Sequence, residues 1–442
     1  MPIKNRDALA VTPARQAALA VADAALAAID TGAAIRRTVE LSGDTLRVAG
    51  EPLPLAPGRR LRLVAVGKCA ITAAAALAAR LGDRLADGIV LDVADAAGRP
   101  PASMRVLRGT HPMPSAANVA ATREILRFLS GGQPGDTVLC VVSGGGSTLL
   151  CLPPEGGAPD AEAAVLQALM RAGATIQEIN TVRKHASLAR GGQLARAARP
   201  ARVVGLLFSD VPGGTLDLVA SGPTVRDPST VADAKRVLAR YGLPASAGLE
   251  RFPLVETPKD GAPFDAVHNV VLVSNLVALD AMAAAARSEG LAAEVQTATL
   301  AGEARGVAGR VVRDLRAAPR GTALLYGGET TVTVRGSGRG GRNLELALAA
   351  LGEVRDDELV LTLASDGRDN GHLAGAIADA VTRAAAERAG ADPASHLAAN
   401  DSYGFFERVP HALETGSTGA NVADLIVALR QRSPHPETAA RA

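Results

Sequence analysis

The chain has 442 residues, 48% hydrophobic and 21% charged, with a formal net charge of +2. This balance is globular rather than disordered, and the length favours two domains over one. A charge so near zero, with no basic cluster interleaved with aromatics, gives no ground for a nucleic-acid or membrane partner.

Aromatic residues make up only 2% of the chain, so Ala, Val and Leu must fill the core. Cys69, Cys140 and Cys151 form no C-x-x-C pair. That fits a reducing cytoplasm and argues against a disulfide framework or a structural zinc site. The first twenty residues are too charged for a signal peptide, and no apolar run approaches the length of a membrane span.

In chain order one unit recurs: a short apolar run, a turn rich in Gly and Ser, then an Ala/Leu-rich helical pattern. RLRLVAV (60–66) leads through Gly67, Lys68 and Cys69 into AITAAAALAARL (70–81). DTVLCVV (136–142) leads into SGGGS (143–147) and TLLCL, and ARVVGLLF (201–208) into SDVPGG. NVVLVS (269–274) leads into NLVALDAMAAAARSEG, and ELVLTLA (358–364) into SDGRDNG and AGAIADAVTRAAAERAG (374–390). Val, Leu and Ile runs with little alternation predict strands covered on both faces. Their alternation with helices predicts an α/β fold with a doubly wound, mostly parallel sheet. Residues 244–267 hold four prolines and no apolar periodicity. They separate two sets of units, placing domains at 1–245 and 265–430. The tail from Arg432 reads as a frayed end.

Open parallel sheets bind ligands outside the carboxyl ends of their strands. Here those ends carry Gly67-Lys68, Ser143–Ser147, Ser209-Asp210, Gly327–Glu329 and Ser365-Asp366. Arg occurs 42 times and Lys only five. A retained Lys, whether Lys4, Lys68, Lys184, Lys235 or Lys259, is then either chance or a place where a compact ammonium serves and a planar guanidinium does not. SGGGST (143–148) has more glycines than a tight turn requires and reads as an anion cradle. No Walker A motif occurs anywhere.

RGSGRGGRN (335–343) contains G-x-G-x-x-G at Gly336, Gly338 and Gly341, the spacing of a dinucleotide-binding turn. Arg335, Arg339 and Arg342 crowd it, and Asp366 follows Gly336 by thirty residues, where the fingerprint wants an acid about twenty on. Such density suits several phosphate or carboxylate oxygens better than a pyrophosphate on bare backbone. A nicotinamide enzyme stays open at this point.

INTVRKHASLARGG (179–192) gathers Arg183, Lys184, His185 and Arg190, either as a solvated helix face or as a wall toward an acidic substrate. The histidines show no zinc-ligand spacing. Asp210, Glu329, Asp366 and Asp369 follow strands and are candidates for Mg²⁺, which usually takes one or two carboxylates plus substrate phosphates. A G-x-S-x-G elbow is missing, which argues against a serine hydrolase.

Several stretches together resemble one family. They are VGKCA (66–70), VSGGGSTLL from Val142, INTVRKH with its later GG from Ile179 to Gly192, and SDVPG with ASGPTVRDP from Ser209 to Pro228. GGETTV with GRGGRNLE from Gly327 to Glu345, NDSYGFF (400–406) and TGSTGANVADL (415–425) complete the set. These are similar to the motifs of glycerate 2-kinases that join an N-terminal Rossmann-like domain to a C-terminal α/β domain named for its MOFRL motif, here about 320–428. Some members carry the older label of hydroxypyruvate reductase.

The resemblance covers nearly the whole chain and implies an active-site cleft between the domains. It implies ATP and Mg²⁺, or another divalent cation, as cofactors, and D-glycerate as the acceptor that becomes 2-phosphoglycerate. Lys68 and Arg342 match the residues proposed to act in the family, and Asp210 is expected as a further catalytic or metal group with Asp366. Ser143, Gly144, Gly145, Gly146 and Ser147, with Gly338, Arg339, Gly340 and Gly341, are expected at the nucleotide. Arg183, Lys184 and His185 are expected at the substrate.

A small-molecule substrate and a nucleotide are thus the expected partners; a homodimer is compatible with the sequence, and the oligomeric state is not fixed by it. An NAD(P)H-dependent hydroxypyruvate reductase is the main rival and a nucleotide-binding sensor the third reading. Three departures stand out: Gly214 where relatives have an acid, Leu344 for a common Gln, and SDGRDNGHLAGA for DG.DGPTDAAGA. The last puts Asn370, Gly371 and His372 in doubt as contacts.

Overall fold

The computed structural model describes residues 3–431 except 60, 97, 99–101, 212, 214 and 244–252, and the chain divides into two compact units. The Gly214 replacement, the start of the proline-rich stretch and the tail from Arg432 lie outside the described residues.

The first unit spans Thr31–Asp210 and Gly214–Leu272. It begins with a three-stranded antiparallel sheet of β1 (Val39–Ser42), β2 (Thr45–Val48) and β3 (Glu51–Pro54). Its main sheet comprises β4 (Leu61–Val66), β5 (Leu85–Val93), β6 (Met104–Gly109), β7 (Thr137–Val142), β8 (Arg202–Phe208) and β9 (Val267–Val273), in the order β6-β5-β4-β7-β8-β9. Pairs from β6 through β8 are parallel. The strand order reverses between β4 and β7, as in a doubly wound sheet. β7 is buried at every position, as its unbroken TVLCVV demands. The helix Ala70–Leu81 follows from its apolar spacing: Ala70, Ala73, Ala74, Leu77 and Leu81 are buried along one face.

The described part of the proline-rich stretch is not a loose separator. Thr257 is buried and donates to Asp227 Oδ2 (3.0 Å), and the Val255 amide donates to His185 O (2.8 Å). That segment packs on the first unit, and β9 then continues its sheet.

The second unit joins residues up to Asp30 and 211–213 to the chain from Val273. Its sheet has β10 (Ala292–Glu303), β11 (Thr322–Thr331), β12 (Glu358–Ala364), β13 (Gly375–Ala378), β14 (Ala412–Leu413) and β15 (Asp424–Arg430), in the order β10-β11-β15-β12-β13-β14. Only β10–β11 is parallel; every other pair is antiparallel. The strand-helix alternation predicted otherwise. β15 accounts for the difference, because it inserts between β11 and β12 and opposes both, with Leu324 beside Ala428 and Thr362 beside Ile426. AGAIA, read as helical, supplies β13; the helix begins at Ala380, where the Asp379 side chain accepts the Thr382 amide.

The N-terminal thirty residues also depart from the expected 1–245 domain. Helix Pro13–Ile29 packs on helix Asn275–Ser288 of the second unit. Arg15, fully buried, binds Asp379 through Nε (2.7 Å) and Nη2 (2.8 Å) and Thr382 Oγ1 through Nη2 (2.7 Å). Burial raises the Asp379 carboxyl, but Arg15 and Thr382 outweigh it and hold it below its ordinary value. Among the described residues no single helix is long and apolar enough to cross a membrane.

Arg15→Ala leaves Asp379 buried without its cation, and urea unfolding should register a loss of about 3–5 kcal/mol. Arg15→Lys should recover only part of it, since an ammonium cannot reproduce the fork.

Candidate active site

At the strand-order reversal of the first unit, the turns after β4 and β7 lean on each other. The Lys68 amide donates to Gly144 O (3.0 Å), the Ser143 amide to Val66 O (2.9 Å) and the Cys69 amide to Ser143 Oγ (3.4 Å). Gly67, at φ +121°, can carry no side chain because a Cβ would overlap Ser143 Oγ. Lys68 is consequently the exposed residue between buried Gly67 and Cys69. A Cβ on Gly145 would stand 3.1 Å from Lys68 Cγ and 3.4 Å from the His111 ring, and one on Gly144 would stand 2.5 Å from Asp210 Oδ2.

Lys68, Gly144, Gly145 and Asp210 are thus brought together, with His111 beside them. Burial, then the Lys68 charge, lowers the His111 imidazole. Sequence reasoning missed His111, a lone His before a Pro with no motif of its own.

The rest of the glycine run behaves differently. Ser143 is buried with its amide and hydroxyl bound at Val66 and Cys69, and the Gly146 amide donates to Ser143 O (3.0 Å). Both residues brace the turn instead of facing a ligand. The helix that follows is a single turn, Gly146–Leu149. The cysteines are free and buried, and burial pushes the Cys69 thiol up to about 11 and those of Cys140 and Cys151 up to about 12.

Two residues of the expected substrate wall are interior, and the third, Arg183, is half-buried. In helix Ile176–His185, Lys184 is 4% and His185 0% exposed. Lys184 Nζ lies 2.9 Å from Asp217 Oδ2 and 3.5 Å from Asp227 Oδ1. The His185 ring nitrogens meet Val255 O (2.9 Å) and Ser229 Oγ (3.2 Å). Arg190, fully buried, pairs with Glu162 (2.6 Å), and burial followed by the Arg190 charge lowers Arg183 to about 10. Ile179 and Val182 draw this helix into an apolar cluster and carry the basic residues inward with it. Lys184 therefore pairs with Asp217 and Asp227, and His185 reaches Ser229, whose hydroxyl donates to Asp227 (2.8 Å).

In the second unit a cavity of about 570 Å³ is lined by Glu329, Gly340, Gly341, Arg342, Asp366 and Asp424, among others. Arg342 opens helix Arg342–Leu351 and grips Asp424 through Nε (2.5 Å) and Nη2 (3.2 Å), while Nη1 reaches Glu329 Oε1 (2.6 Å). Burial lowers the guanidinium, but the pairs with Asp424 and Glu329 outweigh it and raise it. Burial pushes the Asp424 carboxyl up to about 6, against Arg342 and Asn343, whose Nδ2 donates to it at 2.9 Å. Asp366 reaches the cavity and accepts the Arg368 amide (2.9 Å). Asp424 stands in the TGSTGANVADL motif, yet nothing in that motif had given it a role.

The 335–342 loop does not build a dinucleotide turn. Its Arg335 and Gly336 amides donate to Asn400 Oδ1 (2.7 and 2.9 Å), Gly338 to Ala399 O (2.9 Å) and Arg339 to Asp401 Oδ1 (3.1 Å). A Cβ at Gly338 would overlap Asp401, so glycine lets the loop lie against residues 399–402. The helix start, where a pyrophosphate would rest, is filled by Asp369, which accepts the Asn343 (3.2 Å) and Leu344 (2.7 Å) amides.

Arg339 turns to Glu407 (2.9 Å) and to the Tyr403 ring (4.6 Å). Gly338 and Arg339 therefore build the loop, while Gly340, Gly341 and Arg342 line the cavity. Leu344 packs in the core, Asn370 Nδ2 donates to Gly340 O (3.1 Å), and His372 Nδ1 meets Tyr403 OH (2.7 Å). Among the described residues no group of three His, Cys, Asp or Glu side chains is arranged to hold a metal by itself.

Two family models match the chain: a domain of unknown function (DUF4147) over residues 17–252 and the MOFRL family over 322–424. A D-glycerate 2-kinase from Thermotoga maritima is 38% identical over 394 residues, covering 87% of this chain and 94% of its own length. The chain belongs to the glycerate 2-kinase family. A crystal structure of glycerate kinase from Thermotoga maritima matches with a TM-score of 0.83 at 35% identity, over 94% of this chain and 99% of that one. Another relative of this glycerate 2-kinase family member, from Agrobacterium vitis, is 39% identical over 391 residues, covering 84% of this chain and 88% of its own. It bears the provisional name of a hydroxypyruvate reductase.

Because burial lifts the Asp424 carboxyl from 3.8 to about 6, its contribution to stability is whole below 3.8 and lost as pH rises through about 6. This group should steepen the fall of unfolding free energy across that window by at most roughly 1.4 kcal/mol per pH unit. In urea titrations at several pH values Asp424→Asn, which cannot ionise, should lose that share of the slope.

Proposed function

We propose that the protein is an ATP-dependent kinase that phosphorylates D-glycerate to 2-phosphoglycerate, with Mg²⁺ or another divalent cation. The observation that carries this reading is 38% identity over 94% of a D-glycerate 2-kinase, in a chain whose exposed Lys68 stands at the strand-order reversal of the first sheet.

Phosphoryl transfer asks a protein mainly for positioning and for neutralising charge on the moving group. In this reading Lys68 supplies a compact positive charge there. Arg342, oriented by Asp424, offers Nη1 to a phosphate or to the glycerate carboxylate in exchange for Glu329, whose side chain is 52% exposed. Gly144 and Gly145, and in the second unit Gly340 and Gly341, give a polyphosphate backbone to approach without side chains.

Asp210 in the first unit would take the hydroxyl proton or bind a cation, and Asp366 in the second offers the same hard carboxylate oxygens that Mg²⁺ prefers. When bound, the cation supplies charge neutralisation at the phosphates. A soluble cytoplasmic enzyme acting as a monomer or homodimer on small molecules completes the reading.

The reductase reading rests on a provisional name. The amides and helix start that a nicotinamide dinucleotide would need are already occupied in the glycine-rich loop.

A coupled assay should detect ADP formed from ATP only when D-glycerate is added. Oxidation of NADH or NADPH with hydroxypyruvate, without glycerate-dependent ADP, would overturn the proposal. Lys68→Ala should lower kcat by about 10²–10³-fold, the usual weight of one group stabilising transition-state charge. Circular dichroism should show the fold intact, and a near-native rate would remove Lys68 from the mechanism.

A further inference from the structure

Ala220, Ser221 and Gly222 form a run of three left-handed residues in the first unit, with φ of +49°, +60° and +60°. Alanine and serine adopt such backbone only where the surroundings enforce it, and positions of this kind cluster at functional sites. Here the Gly191 amide donates to Ser221 O (2.9 Å) and the Gly192 amide to Gly222 O (2.8 Å). The paired glycines after INTVRKH thereby hold the ASG turn in place. Their effect is to set the fully buried Ser221 hydroxyl between Asn180 and Ser147.

The protons in this chain can be counted. Asn180 Nδ2 donates to Ile176 O (3.1 Å), a carbonyl that only accepts, so the amide is oriented with Oδ1 toward Ser221. That oxygen also only accepts, so Ser221 spends its single proton on it (2.7 Å). Ser147 Oγ lies 3.0 Å from Ser221 Oγ on the other side and must be the donor of that bond. With its proton directed inward, the half-buried Ser147 hydroxyl presents only lone pairs outward.

We infer that Ser147 Oγ is a hydrogen-bond acceptor for a hydroxyl of the three-carbon hydroxy acid, and that Ser221 and Asn180 are positioning residues that fix this polarity. The inference rests on the kinase reading above. A phosphate oxygen brings no proton and would meet a lone pair, whereas an alcohol donates. The phosphate role that the glycine run suggested is therefore reversed at Ser147. A site built to pair a substrate hydroxyl rejects acids that lack it, because the buried polar group is left unmatched. The Lys68 ammonium, close to Gly145, is the rival donor, and kinetics separate the two.

Wild type, Ser147→Ala, Ser147→Thr and Ser221→Ala are compared with D-glycerate and ATP varied separately, after thermal melts show each variant folded. Ser147→Ala should raise KM for D-glycerate about tenfold, the scale of one neutral hydrogen bond, while KM for ATP changes less than about twofold. Ser147→Thr, which keeps the hydroxyl, should stay near wild type. Ser221→Ala, which frees the Ser147 proton, should raise KM for D-glycerate in the same direction. If Ser221→Ala does not fold, the Ala/Thr pair at Ser147 decides alone.

A raised KM for ATP in Ser147→Ala, or a lowered kcat with both KM values unchanged as a Lys68 partner would give, overturns the inference and leaves the kinase reading standing. A wild-type protein that makes no glycerate-dependent ADP overturns both.

Discussion

The carboxyl ends of β4 and β7 approach so closely that their two turns share hydrogen bonds, and the placement of Lys68 depends on that contact. Val66 and Val142 stand in register as the last pair of the parallel ladder. Beyond them Gly67 presses on Ser143, and the Lys68 amide reaches back to Gly144. The ammonium is thus carried by a turn braced from two buried strands. In the proposed reaction, a charge that meets a transferring group would gain from such a mount, because a misplacement of about 1 Å in a catalytic group can cost about 10²-fold in rate. Ser143 matters here as a brace, which explains a serine whose hydroxyl and amide are both turned inward.

Two glycine-rich loops of similar composition do opposite work. At 143–147 the glycines let Lys68, His111 and Asp210 crowd around the backbone. At 336–341 they let the loop lie against residues 399–402, and its amides are consumed in doing so. The helix after the second loop begins on the Asp369 carboxylate, which satisfies its first amides and the positive end of its dipole. An anionic ligand gains nothing at a terminus already neutralised. Arg342, one residue into that helix, keeps its charge on the cavity side because Asp424 and Glu329 hold it there.

Much of this was legible from the chain alone where physics is local. Mostly apolar runs marked β4, β7, β8 and β12, and one-face spacing marked the helix Ala70–Leu81. β5, interrupted by Asp87 and Gly88, carries a weaker pattern and did not stand out. The mixed, mostly antiparallel second sheet was hidden because β15 looks like any buried strand; its direction follows from where the chain enters the sheet, which no window of residues encodes. The allegiance of the N-terminal helix rests on Arg15 and Asp379, 364 positions apart. Scarcity of lysine singled out Lys68 but served Lys184 equally well. Only burial told an exposed ammonium from one locked against Asp217 and Asp227. Asp424, His111, Asn180 and Ser221 carry no signature in isolation, since each acts through a neighbour that folding brings.

Charge around the second-unit cavity orders the remaining pieces. Among the described residues Glu329, Asp366, Asp369 and Asp424 line it together with only Arg342 and Arg368, so carboxyl groups outnumber bases. Burial raises the Asp369 and Asp424 carboxyls above their ordinary value, and Glu329 and Asp366 are the less buried acids of the four. A polyphosphate entering such a field gains if it arrives already paired with a hard cation, which needs only one or two protein oxygens and keeps its phosphate ligands. In the proposed reaction Glu329 and Asp424 hold Arg342 before the nucleotide comes, and Asp366 would be an acid left to meet a nucleotide-bound cation. Glu329 is the residue able to change partner, because its carboxylate is half-exposed while Asp424 is anchored from beneath by Asn343. That asymmetry, one fixed carboxylate and one releasable one on a single guanidinium, lets Arg342 stay oriented while an anion replaces half of its clamp.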